Sequence, residues 1–205
     1  GIARSVQDGT ICGREWLYSS VNESYWTMLS KMKEIHKILR QYRMCSSNSC
    51  GMHMHIMTLQ KWEVPEIILK NIWQIFRAFA PGLIYLTKTN GRNHEGGTAA
   101  SWRQIMTKTP LNKTMQTLQN SINSRYTAIN LGAVGYYNIQ RQQSTNLHNQ
   151  QYINGVPDGL HFEVRFPDGS DVPSQIVAET FLFRAIVDKA VQLSEFGVLD
   201  VTSVI

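Results

Sequence analysis

Two short segments hold most of the residues able to do chemistry. Residues 49–57 read SCGMHMHIM and residues 160–166 read LHFEVRF. Side chains alternate along an extended strand, so His53, His55 and Met57 share one face while Met52, Met54 and Ile56 share the other. In the second segment His161, Glu163 and Arg165 oppose Leu160, Phe162, Val164 and Phe166. If the two polar fronts line one cleft, imidazole, carboxylate and guanidinium converge there. A carboxylate with a histidine suits Mg²⁺ or Mn²⁺ held together with substrate phosphates. Arginine binds phosphate bidentately and stabilises charge in phosphoryl transfer. Glu15, on a third strand-like segment, offers a second carboxylate.

Plainer readings fit the same residues. Antiparallel sheets commonly carry Glu and Arg on a solvated face, and a Glu–Arg pair two apart can be a surface salt bridge. Cys45, Cys50, His53 and His55 can be written C-x4-C-x2-H-x-H, a zinc pattern. Ligands two apart on a strand, however, rarely meet on one tetrahedral ion without a turn. The sequence has no GxxxxGK[ST] loop and no GxGxxG, so phosphate is not bound in the commonest ways.

The elements that must position these residues follow from periodicity. Residues 10–19 alternate as a strand, with Ser20 and Glu23 in capping-box register ahead of an amphipathic helix over 25–43 that has a basic outer face. Pro65 and Glu66 start a second helix, whose stripe is Ile67, Ile68, Ile72, Ile75, Phe76 and Phe79 and which gives way to a different segment after Pro81. Residues 126–137 read as a strand and 140–154 as a Gln/Asn-rich loop or arm. A long helix from Pro173 to Phe196 closes at Gly197.

The expected fold class is α+β, a largely antiparallel sheet with helices packed on one face, as a single domain over 1–205. The 205 residues suffice for a real core, and 42% hydrophobic with 17% charged residues marks a globular chain. No apolar run reaches membrane-spanning length. Three cysteines argue against a disulfide framework and for a reducing, cytoplasmic setting. A formal charge of +5 favours anionic partners, yet the basic residues are scattered along the chain, which speaks against a nucleic-acid module.

Four segments carry a resemblance to a known family. CGMHMHI resembles the Cys-Gly-x-His-x-His-Val stretch of the putative amidoligases, which share the glutamine synthetase-like, carboxylate–amine ligase fold. DGTICGREWLYSS resembles that family's Asp-Gly-Ser-x-x-Gly-x-Glu strand, SRYTAIN its Arg-Tyr-x-x-x-Asn segment, and HFEVRFPDGS its Thr-x-Glu-Phe-Arg-x-Phe strand. The four occur in the family's order between Asp8 and about Phe196.

The resemblance implies an ATP-dependent ligase that joins a carboxylate substrate to an amine substrate through an acyl phosphate. It implies Glu15, His53 and Glu163 as ligands of Mg²⁺ or Mn²⁺. His55, Arg165, Arg125 and Arg92 fall to ATP and its phosphates, with Arg165 and Arg125 also serving the transfer. The family's opening Glu-x-Glu strand has no counterpart here, so the chain reads as the C-terminal part of a longer protein. The alternative is a catalytically inactive relative with a structural or assembly role, such as a processed viral particle component in a virion. Homo-oligomers or larger assemblies are the partners that the resemblance adds.

Overall fold

A computed structural model describes residues 2–7, 14–19, 23–46, 51–57, 66–87, 129–130, 152–153, 156–157 and 161–200. Strand β1 (Ile2–Gln7) pairs antiparallel with β2 (Arg14–Ser19). Sequence alternation placed a strand over 10–19, of which 14–19 are among the described residues, and named no strand before it. IARSVQ has no apolar alternation to betray it; only its pairing with β2 makes it a strand.

Helix α1 (Tyr25–Gln41) begins at Ser24, whose Oγ accepts the Thr27 N–H at 3.2 Å. The cap therefore lies beyond Ser20, where the sequence suggested it, and Glu23 takes other partners. Its carboxylate takes the Tyr18 hydroxyl at 2.6 Å and pairs with the Lys31 ammonium. Met28, Leu29 and Met32 are buried, one helical stripe.

Strand β3 (Met54–Met57) is followed by helix α2 (Glu66–Leu86). Pro81 lies inside α2 instead of ending the helix. Proline removes one intrahelical hydrogen bond, a cost of about 3 kcal/mol in a helix interior. Burial of Ala80 and Leu83 on either side offsets it, each large apolar side chain contributing roughly 1.5–3 kcal/mol. The helix then closes on Thr87, whose N–H and hydroxyl both donate to the Leu83 carbonyl.

The short strands β4 (Ile129–Asn130), β5 (Tyr152–Ile153) and β6 (Val156–Pro157) precede β7 (His161–Val164). β5 and β6 pair antiparallel, so the far end of the Gln/Asn-rich segment enters a strand pair. Helix α3 (Pro173–Leu193) runs into a 3-10 turn at Ser194–Phe196, and Gly197 follows at φ 102°, a left-handed value that favours glycine.

Among the described residues every strand pairing is antiparallel, and β7 is the centre of a three-stranded sheet in the order β3-β7-β4. Met54, Val164 and Ile129 stand in one cross-strand row and are all buried. They back onto Ile72 and Phe76 of α2 and Phe183 and Val187 of α3 in one core. Phe76 stacks on Phe183 at 5.7 Å, and Phe166 meets Phe183 edge-on at 5.3 Å. A second, smaller core joins α1 to α3 through Met28, Leu29, Met32 and Val177. The arrangement is thus α+β, with α3 shared between the two cores.

Two polar residues inside α2 fasten the C-terminal segment. Asn71 and Gln74 are wholly buried. Asn71 Nδ2 donates to the Gly197 carbonyl at 3.0 Å and its Oδ1 accepts the Leu199 N–H at 2.8 Å, while Gln74 Nε2 donates to the Leu199 carbonyl at 3.0 Å. They are the hydrogen-bond partners that buried backbone requires.

Candidate functional site

The row opposite the core row is His55–Glu163–Asn130 by register. Glu163 sits on the central strand with only 7% of its side chain exposed. His55 is its direct antiparallel partner. Such partners have Cβ atoms about 5 Å apart, and His55 Nε2 lies 3.7 Å from Glu163 Oε1. His53 Nδ1 lies 3.4 Å from the same oxygen. Arg165 Nη1 donates a hydrogen bond to it as well.

A break in register helps to bring His53 in. Past the Met54–Val164 pair, Gly51 bridges Asp168, and the Met52 N–H donates to the Pro167 carbonyl at 2.9 Å. Met52 and His53 therefore face three residues, Arg165, Phe166 and Pro167, a one-residue bulge of the kind that re-aims side chains. Pro167 has no N–H to offer, so its carbonyl alone serves the ladder. Phe166, buried against Phe76 and Phe183, anchors the bulge from behind.

Burial sharpens the electrostatics. Arg165 is 14% exposed, His53 26% and His55 39%. The enclosed Glu163 carboxylate is paired with the Arg165 guanidinium. The Arg165 Nε is buried and has no hydrogen-bond partner among the described residues. An N–H so placed is a donor available to a ligand oxygen.

The donor set can be tested against a divalent ion. Two imidazole nitrogens and a carboxylate are sound ligand chemistry. Neighbouring ligands of an octahedral ion with bonds near 2.1 Å sit about 3.0 Å apart, and His53 and His55 stand farther from Oε1, at 3.4 and 3.7 Å. The oxygen facing both imidazoles is also the one Arg165 holds. Among the described residues no group of three or more His, Cys, Asp or Glu side chains forms a metal cluster. The residues fit an ion chemically, provided Arg165 turns its guanidinium from Oε1.

Of the residues singled out by sequence, His53, His55, Glu163 and Arg165 come together. Glu15 lies on β2, opposite Val6, in a sheet separate from that of Glu163 among the described residues. Arg92 and Arg125 lie outside the described residues, as does Cys50 of the zinc pattern. Cys45 is an exposed free thiol. No helix among the described residues is long and apolar enough to cross a membrane.

Sequence reasoning passed over a second pair of carboxylates behind the bulge. Asp168 is buried in the turn after β7, where its N–H donates to the Thr87 carbonyl at 3.3 Å. Glu179 of α3 is buried nearby. Its Oε1 accepts Gln175 Nε2 at 2.9 Å, and its Oε2 has no hydrogen-bond partner among the described residues. Burial, aided by the Asp168 charge and opposed by the Gln175 hydrogen bond, pushes the Glu179 carboxyl up to about 7. The sequence signal was its place one helical turn after Gln175, on the stripe with Ile186 and Val187, but a lone Glu on a helix reads as solvated.

Comparison with known protein families, curated proteins and solved structures finds no match to this chain.

Proposed function

We propose that the chain is an ATP-dependent carboxylate–amine ligase of amidoligase type. The observation that carries this reading is the convergence of His53, His55 and Arg165 on one buried Glu163 oxygen. The four-segment resemblance supplies the reaction. A substrate carboxylate attacks the γ-phosphorus of ATP, releasing ADP and leaving an acyl phosphate. An amine then attacks the acyl carbon, releasing phosphate, losing a proton and leaving an amide.

In this reading His53 and Glu163 would hold Mg²⁺ or Mn²⁺, which when bound would supply charge neutralisation for the phosphates, and His55 serves the phosphates. Arg165 offers its buried Nε and its Nη groups to phosphate oxygens. The resemblance assigns Arg125 and Arg92 to the nucleotide and Glu15 to the metal as a further carboxylate. No side-chain nucleophile is required, because the phosphoryl group itself is the activating group.

A second reading is favoured by one contact. The guanidinium of Arg165 occupies the oxygen that a metal would take, which suits a catalytically inactive relative with a structural or assembly role. Calorimetric titration of Mg-ATP into the chain separates the two. Binding by the wild type that disappears in Glu163→Gln supports the ligase, and a wild-type chain that takes up no Mg-ATP overturns it.

A further inference from the structure

A basic groove lies on other elements than those that carry the Glu163 cluster. The exposed side of α1 and the start of α3 enclose a groove of about 550 Å³, lined by Lys33, His36, Lys37 and Arg40 together with Pro173 and Ser174. Among the described residues no carboxylate lines it. The four basic residues recur at helical spacing, so they form one face of α1.

These cations are not spent on the protein itself. Lys33, Lys37 and Arg40 make no ion pair with any described residue, and Glu34 on the same helix is left aside. Of the basic lining residues only His36 is engaged, its Nδ1 donating to the Met32 carbonyl at 3.0 Å. Like charges one turn apart destabilise a helix, so Lys33 beside Lys37 is a cost without an internal return. Across the groove α3 starts with proline, has no side-chain cap and carries no acidic residue in its first turn. That end contributes a further positive potential, secondary to the side chains.

We propose that this groove binds a ligand bearing several phosphates in a row. At 1.5 Å rise per residue, Lys33 to Arg40 spans about 10 Å, which is the reach of two or three linked phosphates. The volume suits a ligand of nucleotide size. Tripolyphosphate or a nucleoside polyphosphate, and a short run of nucleic-acid backbone, present this same chemistry.

The test titrates the full chain with tripolyphosphate and with a short single-stranded oligonucleotide, at low and moderate salt. Lys37→Gln/Arg40→Gln is the variant, both positions being exposed, and its circular dichroism reports whether α1 is intact. Tripolyphosphate binding is expected to weaken at least tenfold in that variant. It should be unchanged in Arg184→Gln, an exposed basic residue paired with Asp188 elsewhere on α3. The titrations are run in EDTA, without a divalent ion, so that uptake at the metal-dependent Glu163 site does not contribute and failure here and failure of the ligase site are read separately. Oligonucleotide binding tighter than tripolyphosphate, with a log–log salt slope of about −2, identifies a nucleic-acid backbone. Tripolyphosphate binding as tight or tighter identifies a free polyphosphate. No binding of either probe, equal binding by the double variant, or equal weakening by Arg184→Gln overturns the proposal.

Discussion

Single side chains set the pH behaviour. Glu179 is held neutral by burial up to about 7, against an ordinary 4.5. A raised carboxyl contributes stability that is complete below about 4.5 and is lost as pH rises through about 7. Glu179→Gln keeps the Gln175 contact without a charge to desolvate. At pH 8 it should be more stable than the wild type by on the order of 2–3 kcal/mol, and equally stable near pH 4, as read from urea midpoints. Glu23 behaves in the opposite sense. The Lys31 ammonium, with help from the Tyr18 hydroxyl, draws its carboxyl down to about 2. Its contribution is present above about 4.5 and is lost as pH falls toward 2. Urea midpoints of the wild type should decline across that window more steeply than those of Glu23→Gln.

At the scale of elements, local sequence rules succeeded where one element decides its own fate. The α1 stripe, the start of α2 at Glu66, the front-and-back alternation of β3 and β7, and the glycine at 197 were all legible, because helix period, strand period and positive φ are local properties. Pro81 was misread because the loss of one hydrogen bond is local, whereas the burial that offsets it is not. Pro81→Ala should restore the bond to the Arg77 carbonyl and raise stability by about 1–3 kcal/mol, measured by thermal unfolding. The role of Asn71 was not legible for the same reason: its partners lie more than 120 residues away. Asn71→Leu leaves the Gly197 carbonyl and the Leu199 N–H unpaired. A loss of about 2–3 kcal/mol is expected, with faster amide exchange at Leu199.

For the whole molecule, α3 is the member on which both cores depend. Phe183 touches Phe76 and Phe166 at once, and so ties α2 and the bulge beside Glu163 to one helix. Phe183→Ala should cost about 3–5 kcal/mol, measured by chemical denaturation. It should also loosen the Arg165 side of the site, seen as lost protection of amides in β7. The sequence by itself determined which residues share a strand face, and hence that His53, His55, Glu163 and Arg165 were candidates for one site. It also determined that α1 has a basic side, since helical period is enough for that. Only the tertiary structure decided that β3 lies against β7 in the register that sets His55 opposite Glu163. The same holds for the extra residue opposite His53, and for the start of α3 that turns the basic side of α1 into a groove. The physical reason is that periodicity fixes the direction of a side chain relative to its own backbone. Pairing register, bulges and helix docking depend on partners far away in the chain, selected by burial and by the hydrogen bonds that burial demands.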